Sequence, residues 1–352
     1  RIAMQDLVYN PGLSLLELVS VESAKRLNLF VKNISEQVRK EIKNPKLRSI
    51  LEFPVLFLGA KPNKTPAFYN FMNHADFGLG TWYPKGGFNA VALGMVKLAK
   101  ELGVEFHVNE EVVGIDYENN QAKKIRTQNG VYEADVFISG ADYAHTEKLL
   151  NGNRNYSEEY WQKKTFAPSS FLYYVAFNRK VNHLLHHNLF FDTDFEAHAK
   201  EIYDTKELPK QPLFYANFSS KTDDSLCEEG KEVGFFLIPV AVDLEDNEEI
   251  HEKYFQLILD RIKKCTGEDL SDAIVFKKSF GVKDFKERYH SCRGNAYGLA
   301  NTLLQTSVLR PTIKNKKLKN FFYTGQLTVP GPGVPPALIS GKVVTDYILK
   351  NN

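Results

Sequence analysis

The strongest constraint on the fold lies near the end of the chain, in the segment TGQLTVPGPGVPPALISGKVV at residues 324–344. Its first thirteen residues contain three glycines and four prolines, and an apolar helical pattern follows directly. Glycine permits backbone conformations that side chains disfavour, and proline is tolerated in the first turn of a helix, where its missing N–H costs no hydrogen bond. The segment therefore predicts a short strand, KNFFYTG, then a rigid turn, then a helix that starts near Val334.

This turn has two interpretations. Backbone N–H groups exposed at a helix N-terminus favour the binding of an anion or a cofactor. The alternative is a rigid connector between a core strand and a core helix. In either case we expect Gly341 to let the helix approach another element closely, and we expect its inner face to carry Val334, Leu338, Gly341, Val344 and Ile348.

Composition narrows the class of protein. With 352 residues, 43% of them hydrophobic, the chain is long enough for two domains with real cores. Its 45 basic and 43 acidic residues give a formal charge of only +2, so a nucleic-acid partner is not expected. The three cysteines include no C-x-x-C pair, which indicates reduced thiols and excludes a zinc ribbon. No uninterrupted apolar stretch approaches eighteen residues, so no membrane-spanning segment or signal peptide is predicted.

Periodicity predicts an α/β region at residues 73–150. A helical pattern places four apolar side chains on one face and ends at Gly103; they are Val91, Met95, Leu98 and Leu102. Strands are predicted in VEFHVNEEVVGID, AKKIRTQ and ADVFISG, and together they would form one small sheet. Asn119 and Asn120 are expected to form the turn between the first two strands.

The remaining regions differ in character. Residues 1–72 are predicted to be mainly helical. Residues 151–279 contain aromatic strands, SSFLYYVAFN, NLFFD, LFYANF and GFFLIPVAV, and then a helix from about Asn247 to Cys265. This pattern predicts a large antiparallel or mixed sheet.

The segment from Tyr323 to Lys342 resembles the C-terminal signature of bacterial-type phytoene desaturases, flavoproteins of the amine-oxidase superfamily that oxidise acyclic carotenoids. The usual form there is G-x-G-T-H-P-G-x-G-x-P, in which Leu327 replaces a common glycine and Val329 a common histidine. These two departures put a hydrogen bond near the flavin in doubt. The resemblance implies that five residues contact FAD: Gly325, Gln326, Gly333, Val334 and Pro335.

Other segments extend the resemblance in the same order along the chain. WYPKGGF at residues 82–88 and RGNAYG at residues 293–298, followed by Gln305 and Arg310, have family counterparts. NEEVVGI resembles the strand whose valine, here Val112, lies against adenine. ISGADYAHT resembles the return segment, which implies that Gly140 and Ala141 also contact the cofactor.

One family motif is not found. The family opens with G-x-G-x-x-G after its first strand, which cradles the FAD pyrophosphate, and neither GLGTWY nor GPGVPP fits it. The chain also begins with Arg1 rather than Met. We therefore expect the first half of the nucleotide-binding domain to lie outside this chain, and residues 1–352 alone to bind FAD poorly.

The expected fold is thus α/β, with an incomplete Rossmann-like FAD-binding domain and a substrate domain built on a mixed or antiparallel sheet. Residues 73–150 and 280–352 would form parts of the FAD-binding domain. Residues 151–279 would form the substrate-binding sheet, and residues 1–72 the helical part that docks on a membrane.

The resemblance implies desaturation of an acyclic or partly modified carotenoid, such as phytoene or a hydroxylated or one-end-cyclised derivative. FAD would accept a hydride and be reoxidised by quinone or oxygen, since no side chain accepts hydride. Glu17 is the candidate proton acceptor, and a solvated glutamate on a helix face is the alternative. A polyene saturase or isomerase, a flavin amine oxidase and a noncatalytic lipid-binding fragment are the other candidate functions.

A carotenoid resides in the lipid bilayer, so we expect peripheral association with the inner face of the cell membrane from the cytoplasm. The basic stretch at residues 22–48, with apolar residues at helical spacing, is a candidate membrane helix, and a helix packed on its own domain is the alternative. His183, His186 and His187 are spaced like metal ligands, but no fourth ligand is apparent and no metal is predicted.

Overall fold

The structure is a computed structural model that describes residues 8–18, 32–54 and 59–351. The fold class is α/β, as predicted. The chain divides into two compact units, one from residues 1–74, 108–167 and 286–352, the other from residues 75–107 and 168–285. The division into binding domains that the sequence suggested stays a prediction.

Helices and strands occur in both units of the described chain. The helices are α1 Ile34–Glu41, α2 Pro45–Glu52, α3 Gly87–Glu101, α4 Tyr143–Leu149, α5 Glu158–Lys163, α6 Phe195–Lys200, α7 Glu248–Thr266, α8 Val282–Tyr289 and α9 Val334–Asn351. The strands are β1 Val112–Glu118, β2 Gln121–Thr127, β3 Val131–Glu133, β4 Phe137–Ser139, β5 Ser169–Phe177, β6 His187–Phe190, β7 Phe214–Asn217, β8 Glu232–Val240, β9 Ile274–Phe280 and β10 Phe321–Tyr323. No helix among the residues described is both long and apolar enough to cross a bilayer.

The first unit contains two small sheets rather than the single sheet predicted for its α/β region. Strands β1, β2 and β3 form an antiparallel meander, whereas β4 pairs in parallel with β10. The prediction that ADVFISG joins the meander was therefore wrong, because β4 pairs with a strand 184 residues away in sequence. The predicted first strand also begins only at Val112.

The β1–β2 turn is confirmed at Asn119 and Asn120. Both residues have left-handed backbone conformations, with φ of 50° and 61°. Two consecutive left-handed residues match the twist of the flanking strands in a two-residue hairpin, and asparagine tolerates this conformation better than most side chains do.

Helix α9 starts where the sequence predicted, and its predicted inner face is confirmed at Val344 and Ile348, which pack in a buried core, but is wrong at Val334 and Leu338. Val334 and Leu338 are about half exposed, whereas Ser340, Val343 and Val344 are buried. The second half of the helix lies on β10, where Tyr347 contacts the ring of Phe322. Within the described chain no atom lies within 4 Å of a Cβ added at residue 341, so the expected close approach at Gly341 is not made there.

Helix α3 ends before Gly103, as predicted, and Gly103 adopts a left-handed conformation with φ of 85°. The four apolar side chains predicted to share a face, Val91, Met95, Leu98 and Leu102, are exposed. Their periodicity therefore predicted the helix correctly, but these side chains are not buried in the described chain.

The second unit is organised by a five-stranded antiparallel sheet in the order β6-β7-β8-β5-β9. The four aromatic strands and the long helix predicted from the sequence are all present. One face of the sheet packs on α7 through buried side chains such as Phe171, Tyr173, Phe236 and Ile258. The opposite face carries the alternate residues of each strand.

Candidate functional site

Two predicted cofactor-binding segments meet where β4 and β10 end. The parallel strands pair Ser139 with Tyr323, and the N–H of Thr324 donates to the Ser139 carbonyl at 2.9 Å. Gly140 and Gly325 therefore follow the carboxyl ends of adjacent strands, and a Cβ added at residue 325 would lie 3.8 Å from the Gly140 carbonyl oxygen. The crevice beyond such strand ends is where α/β sheets bind ligands.

A cavity of about 450 Å³ opens beside this junction. It is lined by Val112, which the sequence assigned to adenine, and by Gly140 and Ala141, which the sequence assigned to the cofactor. Apolar side chains of β1, β2 and β4 form much of the remaining wall. The structure thus brings together three predicted residues that are separated by up to 29 positions in the chain.

The cavity also contains a pair of histidines that sequence reasoning did not identify. The rings of His145 and His290 stack with centroids 4.1 Å apart, and His290 Nε2 lies 3.0 Å from Glu111 Oε1. Burial lowers the pKa of His145, and the neighbouring His290 and Lys148 lower it further. This planar pair forms a polar part of a largely apolar wall.

Ser340 fixes the strand end to helix α9. Its side chain is fully buried, and its Oγ accepts a hydrogen bond from the Gly325 N–H at 2.9 Å. The same oxygen lies 2.7 Å from Thr324 Oγ1 and donates to the Ala337 carbonyl. Sequence reasoning missed this residue, because a lone serine in an apolar helix gives no signal of its role.

The turn between Gly325 and α9 leaves a backbone donor available. Pro335 and Pro336 have no N–H, and the Ala337 N–H donates to the Gly333 carbonyl at 2.9 Å. In the first turn of α9 this leaves the Val334 N–H, which no described residue accepts. A helix N-terminus with a free N–H favours a carbonyl oxygen or an anion.

The two departures from the family signature lie in the segment that precedes this donor. Leu327 and Val329 are both buried. Val329 belongs to the core formed by Ile313, Phe322, Val343 and Val344. An apolar side chain at position 329 therefore serves packing, and the chain offers no imidazole there.

Glu17, the candidate proton acceptor, lies in a short helical turn at Leu15–Leu18. Its carboxylate accepts the N–H groups of Gly12, Leu13 and Ser14 at 2.8, 2.9 and 3.1 Å. The same loop contacts the C-terminal turn, since a Cβ added at Gly12 would lie 2.8 Å from Val329 Cγ1. The carboxylate thus anchors a loop beside the turn, and its catalytic role stays a prediction.

The histidine cluster at residues 183–187 is explained by local contacts. The rings of His186 and His187 stack with centroids 4.2 Å apart, and His187 Nδ1 lies 2.5 Å from the Tyr215 hydroxyl. The edge of His186 meets Tyr83. Across the described ranges, no group of three or more His, Cys, Asp or Glu residues is arranged to hold a metal ion.

Comparisons with known proteins show which family the chain belongs to. The family described as flavin containing amine oxidoreductase matches residues 14–349. A carotenoid 3,4-desaturase of Haloarcula japonica is 38% identical over 99% of this chain and 72% of its own length. A zeta-carotene-forming phytoene desaturase of Myxococcus xanthus is 31% identical over 89% of the chain and 61% of its own length.

The chain belongs to the carotenoid desaturases of the flavin-containing amine oxidoreductase family. It spans about two thirds of the length of these two relatives, 72% and 61% respectively. Solved structures with the same fold include an oxidoreductase from Methanosarcina mazei, with a TM-score of 0.58, 17% identity, and coverage of 94% of this chain and 74% of its own. Cyclohexylamine oxidase from Brevibacterium oxydans has a TM-score of 0.50 and 8% identity. The match covers 99% of this chain and 73% of the oxidase chain.

FAD is the cofactor of this desaturase family, and the residues present fit part of it. The cavity offers an apolar wall and the exposed backbone of Gly140 and Ala141. The free Val334 N–H offers a donor at a helix N-terminus. The individual contacts of Val112, Gly140, Ala141, Gly325, Gln326, Gly333, Val334 and Pro335 with FAD stay predictions.

Proposed function

We propose that the protein is an FAD-dependent desaturase that oxidises a C–C bond of an acyclic or partly modified carotenoid. The observation that carries this proposal is the open face of the five-stranded sheet in the second unit. This face, defined below and called the open sheet face, is mostly apolar and aromatic, with polar side chains such as Asn217 and Lys278 among them.

Cross-strand partners project to the same side of a sheet, so the register identifies the face. Tyr174 of β5 pairs with Phe235 of β8, and their ring centroids lie 5.3 Å apart. Tyr215 and Leu189 pair on the neighbouring strands. The open sheet face comprises Ser170, Leu172, Tyr174, Ala176, His187, Leu189, Tyr215, Asn217, Val233, Phe235, Leu237, Pro239, Phe276, Lys278 and Phe280.

Several of these side chains are unusually accessible for their size. Tyr174, Leu189 and Phe276 are 45%, 42% and 55% exposed. A contiguous exposed patch of apolar and aromatic side chains usually marks a site that binds a ligand, a membrane or another protein. A long polyene, which has no polar groups to satisfy, suits such a face better than a small charged amine does, which favours a desaturase over an amine oxidase.

FAD supplies the hydride acceptor that the side chains lack. The chain's own residues would exclude water from the substrate and stabilise developing positive charge on the polyene by their aromatic faces. The second hydrogen leaves as a proton, for which Glu17 is the predicted acceptor. Quinone or oxygen would then take the two electrons and restore the oxidised cofactor.

We also propose that the protein works as a peripheral membrane protein on the cytoplasmic face of the cell membrane. Residues 22–31 of the predicted membrane segment lie outside the described residues. In the described part, Ile34 and Val38 of α1 are buried against Tyr69 and do not face outward. The exposed side chains that suit a lipid surface are instead Lys43, Lys46, Leu47 and Ile50 around α2.

The decisive experiment gives the full-length protein FAD and liposomes loaded with one carotenoid at a time. Phytoene, lycopene, γ-carotene and a 1-hydroxylated carotenoid are tested, and products are separated and identified by absorption. We expect a red shift with at least one substrate, because each added double bond lengthens the polyene. Bound, reducible flavin with no shift for any carotenoid would contradict the proposal.

A variant links the activity to the open sheet face. Tyr174→Glu places a charge on this face and is expected to abolish turnover while FAD stays bound. Leu185→Glu changes an exposed leucine in a loop of the same unit and serves as the control. Equal loss of turnover in both variants would show that the open sheet face does not bind the substrate.

Membrane binding is tested by sedimentation with vesicles of anionic or of zwitterionic phospholipid. Leu47→Ser combined with Ile50→Ser is expected to weaken binding to anionic vesicles, and Leu349→Ser, at another exposed leucine, is expected to leave it unchanged. Identical binding of all three proteins would exclude the α2 region as the lipid contact.

A further inference from the structure

Arg310 is a buried cation without an acidic partner. Its side chain is 4% exposed, and burial lowers its pKa to about 10, so it stays protonated at neutral pH. Within the part of the chain that the structure describes, it forms no ion pair with any carboxylate. Its hydrogen bonds go to the carbonyls of Gln326 and Leu299 and to Asn301 Oδ1, and its Nε has no partner.

Such a charge is expensive to bury. An ionised group removed from water is normally compensated by an opposite charge or by a full set of hydrogen bonds. Arg310 has neither, and carbonyl dipoles alone bridge it to the surrounding loops. Lys164 is a second basic residue near this charge. Burial lowers the pKa of Lys164, and the positive charge of Arg310 lowers it further.

The guanidinium lies directly behind the C-terminal turn. It donates to the Gln326 carbonyl at 3.2 Å, and a Cβ added at Gly331 would lie 3.0 Å from Arg310 Nη2. Gln326 is itself one of the predicted flavin contacts, and Gly325, Gly333 and Val334 belong to the same segment. The buried charge is therefore hydrogen-bonded to the backbone of a predicted flavin-contact residue.

We propose that Arg310 is the fixed positive charge that stabilises the negative charge acquired by the bound flavin when it takes up a hydride. This inference rests on the proposed function. Arg310 acts through space across the turn, as a residue that tunes the cofactor, and it need not touch the flavin. Charges near the reactive end of a flavin are one of the ways in which a protein sets its electronics.

The test uses the affinity of the oxidised flavin for sulfite, which adds to the ring and leaves a negative charge on it. Asn301→Asp is the principal variant, because it keeps the shape and the acceptor oxygen at Arg310 Nη2 while placing a carboxylate beside the cation. We expect the sulfite dissociation constant of the FAD-loaded full-length protein to rise by about tenfold or more, the scale of one charge interaction across a protein interior. The flavin midpoint potential is expected to fall in parallel.

Two further variants separate charge from structure. Asn301→Ala removes the hydrogen bond but leaves the charge, and its sulfite affinity is expected to stay within about threefold of the parent, below the effect of one charge interaction. Arg310→Met removes the charge and is expected to raise the sulfite dissociation constant as much as Asn301→Asp does. If Arg310→Met does not fold, the result for Asn301→Asp alone decides. If Arg310 only ties loops together, Asn301→Asp will bind sulfite as the parent protein does, which overturns the inference.

The outcomes also separate this inference from the proposed function. A full-length protein that desaturates a carotenoid but shows unchanged sulfite affinity in Asn301→Asp refutes the role of Arg310 alone. A protein that binds FAD, responds to Asn301→Asp as expected and acts on no carotenoid refutes the substrate. A protein that binds no FAD refutes both.

Discussion

The Oγ atom of Ser340 accepts a hydrogen bond from the Gly325 N–H at 2.9 Å, and this contact joins the end of β10 to helix α9. Ser340 is fully buried, and the same oxygen also bonds to Thr324. The position of the strand end relative to the helix N-terminus therefore depends on one hydroxyl group. Both sides of this contact carry predicted flavin contacts.

Ser340→Ala is expected to lower the free energy of unfolding by about 1–3 kcal/mol, because the Gly325 N–H and the Thr324 hydroxyl lose a buried partner. Denaturant unfolding measures this loss. Thr345→Ala is the matched control, since its hydroxyl bonds only to the Gly341 carbonyl one turn back on the exposed side of α9. If Thr345→Ala lowers the free energy of unfolding by as much as Ser340→Ala does, the buried Ser340 contact stabilises the protein no more than an exposed hydroxyl does.

Gly331→Ala is expected to disturb the C-terminal turn and to weaken FAD binding. Residue 331 has φ of 130°, which side chains rarely adopt, and the new Cβ would lie 3.0 Å from Arg310. Gly341→Ala is the control within the same segment, because its Cβ meets no described atom within 4 Å and alanine favours a helix by about 1 kcal/mol over glycine. We expect FAD titration to show weaker FAD binding for Gly331→Ala only. Denaturant unfolding should show a higher free energy of unfolding for Gly341→Ala. Equal FAD affinity in both variants would contradict the role of the turn.

Ala141→Phe is expected to reduce FAD affinity by at least about tenfold, the effect of losing about 1.4 kcal/mol of binding energy. The added ring would occupy the cavity beside Gly140, and the exposed backbone there should tolerate it without loss of stability. Ala197→Phe places the same ring on an exposed site of helix α6 and should leave affinity unchanged. Calorimetric titration with FAD measures the affinity of both variants. Unaltered affinity in Ala141→Phe would place the cofactor elsewhere.

The acid stability of the second unit is expected to depend on His198. Its Nδ1 accepts the Leu213 N–H at 3.0 Å and its Nε2 lies 2.9 Å from the Pro239 carbonyl, an arrangement that only the neutral ring satisfies. Burial therefore lowers the pKa of His198 from an ordinary 6.5 to about 4. Because the unfolded chain binds the proton more tightly, this stability is fully present above pH 6.5 and is lost as the pH falls towards 4. The loss amounts to about 3 kcal/mol, at about 1.4 kcal/mol per pH unit.

His198→Gln tests this pH dependence. The variant is expected to be less stable than the parent at pH 7, and the difference between the two should shrink as the pH falls from 6.5 to 4. His183→Gln, at an exposed histidine of the same unit, is the matched control. Unfolding at a series of pH values measures both differences. A constant difference for His198→Gln would show that the buried ring takes up its proton without penalty.

The local elements were readable from the sequence because each depends on a nearby pattern. Alternating aromatic residues predicted β5 and β8, the Asn119-Asn120 pair predicted its hairpin, and the paired prolines predicted the start of α9. The site residues Val112, Gly140 and Gly325 were named by resemblance to a family, and the structure shows that two segments carrying them lie side by side.

What the sequence determined by itself is thus part of the helices and strands, among them α3, α7, β5 and β8, together with the glycine and proline turn and the family, because propensity, periodicity and motif order act over a few residues at a time. The pairing of β4 with β10, the burial of Ser340 and the isolation of the Arg310 charge were decided only by tertiary structure. Each of these joins residues far apart in the chain, and no local pattern encodes which distant partner removes a polar group from water. For the same reason the inner face of α9 was predicted incorrectly at Val334 and Leu338: helical periodicity fixes the spacing of a face, whereas β10 fixes the side on which it is buried.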